Sequence, residues 1–206
     1  MILKIYPENP SPRCLKTVID CLKAGGVIIY PTDTVYSLGC DMYQPKAVAK
    51  VASIKGIKAD KADFSIIAND LSNISEYTKP FNTEIYKLMK KTLPGPFTFI
   101  LEANGNVPKI FQNRKKTIGI RVPDNNIIRQ IVVEFGNPLI STSIYDDDQI
   151  KEYTTDPELI YEKYSNLVDI VINGGFGGNI PSTVIDCAGG QISVVRQGKG
   201  NIENFI

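Results

Sequence analysis

Helical and strand patterns alternate along almost the whole chain, and this alternation limits the folds open to it more than any other feature. Residues 15–22 carry apolar side chains at the spacing of one helix face, directly after Ser11-Pro12, a pair that favours a helix start. Gly25-Gly26 ends this pattern, and the β-branched run Val27–Tyr30 then predicts a buried strand. A chain that repeats this order builds an α/β fold.

The later segments continue the alternation. Helical patterns cover 45–54, 71–77, 82–91, 126–135 and a stretch that begins at 156, and strand patterns cover 64–68, 97–102, 117–122, 138–141, 168–173, 183–186 and 192–196. No obvious helix separates 97–102 from 117–122, so we expect a mixed sheet. The 206 residues show no repeat or linker. They predict one domain over 1–206, with a twisted mixed sheet of about seven strands flanked by helices.

The composition limits the chemistry that is available. Histidine is absent, which excludes Ser-His-Asp and Cys-His catalysis and leaves acid–base work to carboxylates, lysines, tyrosines, water or the substrate. The four cysteines form no CxxC pair, so we expect no metal site. The start of the chain lacks a signal-peptide pattern, and no apolar run approaches the ~18 residues of a membrane span, so the sequence predicts a cytoplasmic protein without a membrane partner.

The net charge of +1 creates no overall field toward nucleic acid or membrane, but the charges are unevenly distributed. Lysines are concentrated between residues 46 and 61, and a second basic cluster lies between 109 and 121. Such clusters fit a basic pocket and also an ordinary solvated helix face.

A polar segment follows the strand Val27–Tyr30. Its hydrogen-bonding side chains are Thr32, Asp33, Thr34, Tyr36 and Ser37. Polar groups at the mouth of a buried strand are typical of a ligand-binding lining. A turn in which threonine and aspartate satisfy their own backbone is the alternative.

Other polar features lie further along the chain. The lysine-rich loop 55–61 offers mobile point charges that suit phosphate. Arg121 lies in an otherwise apolar strand, where it needs either a structural acid or an anionic ligand. The hydroxyl groups of 141–143 end a strand, where α/β proteins normally bind ligands. The glycine run 174–178 lacks the lysine of a phosphate loop, which favours a flexible loop.

The polar segment resembles a known family signature. Residues 31–39 match the PTxTxYxLG pattern of the YrdC/Sua5/YciO family. Other stretches similar to family elements, in the same order, are 55–61 (KxRPxxKP), 93–98 (WPGPxT), 117–123 ((I/V)xxRxP), 141–143 (STSAN), 181–186 (PSTVxD) and 194–198 (RxG). The chain departs from these patterns at Ile57, where an arginine is usual, near Ala68, where a histidine is frequent, and at Ile144-Tyr145, which replaces Ala-Asn. The departures place the chain nearest the YciO branch.

The resemblance implies an α/β sheet around a deep basic cavity and a threonylcarbamoyl-AMP synthase activity. Such an enzyme joins L-threonine, bicarbonate and ATP into threonylcarbamoyl-AMP and pyrophosphate, on the way to N6-threonylcarbamoyladenosine in tRNA. ATP would be a substrate that arrives with Mg²⁺, and no permanently bound cofactor is expected. The alternative that the family suggests is a double-stranded RNA or tRNA-binding protein without synthase activity, whose contacts with phosphate would include Lys115 and Lys116.

The resemblance also implies roles for individual residues. The amino acid would be held by Thr32, Thr34, Tyr36 and Arg121. Catalytic roles would fall to Lys55, Lys61 and Arg121. The nucleotide would contact Lys55, Lys58, Lys61, Ser141, Ser143, Ser182 and Arg196.

Overall fold

Prolines and short polar side chains set the helix starts. The structure, a computed structural model, describes residues 1–58, 62–108, 116–144 and 154–203. Within these ranges the α-helices are α1 (Pro12–Lys23), α2 (Pro45–Ile54), α3 (Thr83–Thr92), α4 (Asn126–Phe135) and α5 (Pro157–Tyr164). Proline occupies the first turn of α1, α2 and α5, and the side chains of Asn82, Asn125 and Asp156 accept hydrogen bonds from the first backbone N–H groups of α3, α4 and α5.

The described strands form one mixed sheet. They are β1 (Ile2–Lys4), β2 (Val27–Tyr30), β3 (Ser37–Asp41), β4 (Ser65–Ile67), β5 (Phe97–Glu102), β6 (Thr117–Arg121), β7 (Leu139–Ser143), β8 (Ile170–Asn173), β9 (Thr183–Asp186) and β10 (Ser193–Arg196). Their order across the sheet is β1-β8-β2-β3-β7-β4-β6-β5-β9-β10. The α/β class and the mixed sheet are therefore confirmed.

Two details of the prediction are wrong. The sheet has ten strands where about seven were expected, because β1 is only three residues long and β3 (SLGCD) lacks a β-branched or alternating pattern. β3 is instead held between β2 and β7 by antiparallel pairing. The helix predicted over 71–77 is only a 3₁₀ turn at Ile74–Glu76.

The two faces of the sheet differ in chemistry because alternate side chains of a strand point to opposite faces. The apolar face presents one buried row across seven neighbouring strands: Val27, Cys40, Ile140, Ile66, Ile120, Phe99 and Ile185. The same core contains side chains of α2, α3 and α5. The opposite face, called the polar face, packs on α1 and α4 around Ile28 and Ile170. Beside that apolar patch it presents a row of small residues: Gly39, Ser141, Ser65 and Gly119.

Candidate active site

The small residues on the polar face allow neighbouring groups to approach the centre of the sheet closely. A Cβ atom on Gly119 would lie 2.5 Å from Ser65 Oγ, and one on Gly39 would lie 3.1 Å from the Tyr30 ring and 2.2 Å from the Ile140 carbonyl oxygen. Because Gly39 leaves this space, the Tyr30 hydroxyl reaches across β3 and donates a 2.7 Å hydrogen bond to Ser141 Oγ. Ser141, which was predicted to contact nucleotide, is buried, and its hydroxyl accepts this hydrogen bond.

Arg121 is the charged centre of the polar face. Its side chain is 7% exposed, and its Nη2 donates to Asp33 Oδ1 at 3.1 Å and to Thr34 Oγ1 at 3.0 Å. β2 and β6 lie four places apart in the sheet. Asp33 and Thr34 lie in the loop between β2 and β3, so the contact shows that this loop extends over the polar face toward β6.

Asp33 is the structural acid that sequence analysis left open as a partner for Arg121. Its side chain is 10% exposed, and burial raises its pKa, although the neighbouring Arg121 charge opposes this shift. Burial likewise lowers the pKa of Arg121, and Asp33 opposes that change. The pair keeps two charges inside the protein that would each be costly to bury alone.

The polar loop 31–36 contributes two side chains, Asp33 and Thr34, to this centre and uses others for its own structure. Thr34 Oγ1 accepts a hydrogen bond from Arg121, and the role predicted for both residues in binding an amino acid stays a prediction. Thr32 Oγ1 donates to the Val35 carbonyl oxygen at 2.7 Å and accepts from the Thr34 backbone N–H at 3.1 Å, which is the self-satisfied turn that was the alternative. The Tyr36 hydroxyl donates to the Gly175 carbonyl oxygen at 2.7 Å.

The glycine segment, residues 174–178, packs directly on this loop. A Cβ on Gly177 would lie 2.7 Å from the Tyr36 ring, and one on Gly178 would lie 2.3 Å from the Thr34 carbonyl oxygen. Gly174 donates its backbone N–H to the Tyr36 hydroxyl at 3.2 Å. The glycines therefore serve close packing against the loop.

Ser182 and Arg196 lie together at the β9–β10 end of the sheet. Ser182 Oγ is 2.8 Å from Thr98 Oγ1, and Arg196 donates through Nη2 to the Ser182 carbonyl oxygen at 3.0 Å. The Arg196 charge is close enough to Arg121 to lower the pKa of Arg121 further. The structure thus brings these predicted residues near the central arginine, while Ser143 pairs with Ser37 across β7 and β3.

The predicted lysine residues are described only in part. Lys55 is half-buried at the end of α2, and Lys58 is exposed. Lys61 lies outside the described residues, as does Lys115 of the second basic cluster, whereas Lys116 is described. Contacts of these lysines with phosphate stay predictions.

Several residues of the site were missed by sequence reasoning. Asp33 and Ser37 lay inside the polar segment without an assigned role, and Ser65, Thr98 and Lys199 had none. Among the described residues, the buried side-chain atoms without a hydrogen-bond partner are Asp33 Oδ2, Ser37 Oγ, Arg121 Nε and Arg129 Nε. Two of these atoms, Asp33 Oδ2 and Arg121 Nε, belong to the central ion pair, and since buried polar groups are nearly always paired, this pair can accept a further hydrogen-bonding partner.

Comparison with known proteins identifies the family. A family model with the description "Telomere recombination", which covers Sua5, YciO and YrdC, matches residues 20–198. The chain belongs to the Sua5/YciO/YrdC family.

Relatives in this family include proteins with and without an assigned activity. Escherichia coli K12 YciO, an uncharacterized protein, is 37% identical over 204 residues, or 98% of this chain and 97% of YciO. The E. coli YciO crystal structure matches with a TM-score of 0.92 at 35% identity, covering 100% of this chain and 99% of that one. The threonylcarbamoyl-AMP synthase of Coxiella burnetii RSA 493 is 30% identical over 181 residues, 87% of this chain and 96% of the synthase.

A more distant structure extends the likeness in fold. P. abyssi Sua5, solved in complex with L-threonine, matches with a TM-score of 0.88 at 24% identity, over 99% of this chain and 59% of Sua5. The Sua5/YciO/YrdC fold is therefore shared across relatives that include synthases.

The positions that depart from the family pattern have different surroundings. Ala68 donates its backbone N–H to the Arg121 carbonyl oxygen at 2.9 Å, so the position where the family often has histidine adjoins the central arginine. Ile144 is buried in the apolar core. Ile57 is 42% exposed.

A cavity of about 460 Å³ is lined by none of the predicted site residues, and its walls are Lys79, Pro80, Phe81, Asn82, Leu101, Glu102, Cys187, Gly189 and Gly190. The described part of the chain contains no cluster of three or more Cys, Asp or Glu residues that would suit a metal ion. Nor does any helix in that part combine the length and apolar character needed to cross a bilayer.

Proposed function

We propose that this protein is an L-threonylcarbamoyladenylate synthase. It would join L-threonine, bicarbonate and ATP into threonylcarbamoyl-AMP and pyrophosphate, for the biosynthesis of N6-threonylcarbamoyladenosine in tRNA. The name of the C. burnetii relative supports this reaction, and the P. abyssi structure shows that a protein of the same fold binds L-threonine.

The observation that carries the proposal is the state of Arg121. A planar guanidinium recognises a carboxylate through paired donors, and Arg121 retains a buried Nε–H without a partner. Thr34 and Asp33 fix one end of the guanidinium through Nη2, which leaves Nε for a further acceptor. An amino-acid carboxylate suits this arrangement, since it would complete the hydrogen bonds of the arginine.

The proposed chemistry asks little of the protein beyond positioning and charge. The amine of L-threonine attacks bicarbonate with loss of water, or CO₂ with loss of a proton, to form a carbamate. The carbamate oxygen then attacks the α-phosphorus of ATP, and the bond to pyrophosphate breaks. No step requires an imidazole, which fits a chain without histidine. Proximity of the ligands and neutralisation of the phosphate charge account for most of the rate that such a site can supply.

The described residues divide between the two ligands in this proposal. Arg121 and Thr34 hold the amino acid, while Thr32 and Tyr36 shape its loop. Ser141, Ser143, Ser182 and Arg196 would contact the adenylate, and Lys55 and Lys58 would contact its phosphates, together with Lys61, which lies outside the described residues. Mg²⁺ bound to ATP would share in the neutralisation of charge.

Product formation tests the proposal directly. The purified protein is incubated with ATP, Mg²⁺, bicarbonate and L-threonine, and the nucleotide products are separated and weighed by mass spectrometry. We expect an AMP adduct that requires both L-threonine and bicarbonate and that disappears in Arg121→Gln. No adduct under conditions in which the C. burnetii synthase makes one would refute the assignment, and RNA binding in its place would favour the alternative.

A further inference from the structure

Lys199 adds a cation to the site that no family motif contains. The turn that carries it is closely built: the Lys199 backbone N–H donates to the Pro181 carbonyl oxygen at 2.8 Å, and a Cβ on Gly198 would lie 2.3 Å from that same oxygen. Gln197 Nε2 closes the turn with a 2.7 Å bond to the Gly200 carbonyl oxygen. The backbone of Lys199 is therefore held in one place.

The side chain of Lys199 crosses from β10 to the polar loop. Its Nζ donates to the Asp33 backbone carbonyl oxygen at 2.5 Å, and its charge acts on the Asp33 carboxylate. An ammonium group has three donors, and a neutral carbonyl oxygen leaves its charge uncompensated. Lys199 is exposed, so a ligand that enters the site from solvent can reach it.

The charges around Lys199 favour a strongly anionic ligand. Arg121, Arg196 and Lys199 bring three positive charges to this end of the polar face, and Asp33 and Asp124, whose backbone N–H donates to the Asp33 carboxylate, bring two negative charges. ATP bound to Mg²⁺ is a net anion, which would balance the positive excess. An amino acid, being a zwitterion, would not balance it.

We infer that Lys199 is a further nucleotide-binding residue, which contacts a phosphate group of ATP through its ammonium group. The inference rests on the proposed function for the identity of the anion. The sequence predicted that the cations facing phosphate come from the lysine-rich loop, where Ile57 stands in place of an arginine. The inference adds Lys199, at the β10 end of the sheet, to these cations.

Calorimetric binding of ATP and of adenosine tests this role in Lys199→Gln, Lys199→Arg and the unchanged protein. Lys199→Gln should weaken ATP binding by about tenfold, the effect of one charge-assisted hydrogen bond, and should leave adenosine binding unchanged. Lys199→Arg should retain most of the affinity for ATP. Added KCl should weaken ATP binding to the unchanged protein more than to Lys199→Gln, because one ion contact is missing in the variant.

Lys79→Gln is the matched control. Lys79 is also an exposed lysine with a single short contact, to Glu102 at 2.9 Å, but it lines the separate cavity. Its substitution should not change ATP binding. Equal losses for ATP and adenosine in Lys199→Gln, unchanged ATP binding in that variant, or no ATP binding by the unchanged protein would each overturn the inference. This experiment measures ATP binding and does not depend on adduct formation. A protein that binds ATP through Lys199 but forms no adduct would therefore refute the proposed reaction and still support the role of Lys199.

Discussion

Two neighbouring rows of the same strands show how one sheet serves both stability and function. On the apolar face the row from Val27 to Ile185 is buried and hydrophobic throughout. One residue away on each strand, the row on the polar face contains Gly39, Ser141, Ser65 and Gly119. The first row packs the sheet against α2, α3 and α5, while the polar face packs on α1 and α4 at one end and carries Arg121 and its partners beside the small row. The apolar row and the candidate site thus lie on opposite faces of a single sheet.

The largest expected effect on stability is at Phe99, the largest side chain of the apolar row. Phe99→Ala should lower the free energy of unfolding by about 4 kcal/mol, because it removes buried apolar surface and leaves a cavity. Urea denaturation measures this loss. The folded fraction should bind ATP with unchanged affinity, and a fall in that affinity would contradict the separation of the two faces.

Arg121→Gln should have the next largest effect on stability. It leaves Asp33 as an unpaired buried carboxylate, at a cost of about 3 kcal/mol. The double variant Arg121→Gln with Asp33→Asn should recover part of this loss in urea denaturation, although it still lacks L-threonine-dependent adduct formation. Simple addition of the two single effects would show that the pair is not energetically coupled.

The Tyr30–Ser141 bond offers a finer comparison across β3. Ser141→Ala should cost about 1–2 kcal/mol, since it leaves the buried Tyr30 hydroxyl without its partner. Tyr30→Phe in the same chain should restore most of the loss. A double-mutant cycle in urea measures the coupling, and a coupling near zero would contradict the bond across Gly39.

The pH dependence of stability gives the smallest effect. Burial raises the pKa of Asp33 in the folded protein, so the folded state binds this proton more tightly than the unfolded state does. The contribution of Asp33 to the free energy of unfolding is fully present below the pKa of an aspartate in the unfolded chain. It is lost as pH rises through the pKa of Asp33 in the folded protein. The difference in unfolding free energy between the unchanged protein and Asp33→Asn should therefore shrink as pH rises across the acidic range. A difference that grows with pH would mean that the Arg121 charge outweighs burial.

Local chemistry explains what the sequence could predict. The starts of α1, α2 and α5 follow from prolines, and strands such as β2 follow from β-branched runs. β3 could not be predicted, because its position depends on pairing with β2 and β7 and not on its own residues. The Asp33–Arg121 pair joins residues 88 positions apart and exists only because the loop 31–36 extends over the sheet toward β6. The family motif predicted roles for Arg121 and Thr34. Only the structure shows that Asp33 is the acid that pairs with Arg121.

The glycine segment, residues 174–178, connects distant parts of the sheet, and its contacts couple its local opening to that of the loop 31–36. It belongs to the connection from β8 to β9, which are second and ninth in the strand order, and it packs on the loop 31–36 along the way. Regions that share such contacts open as one cooperative unit. The amide hydrogens of the glycine segment and of the loop are therefore expected to exchange with deuterium at a common rate, so that one local opening governs both solvent entry and ligand release.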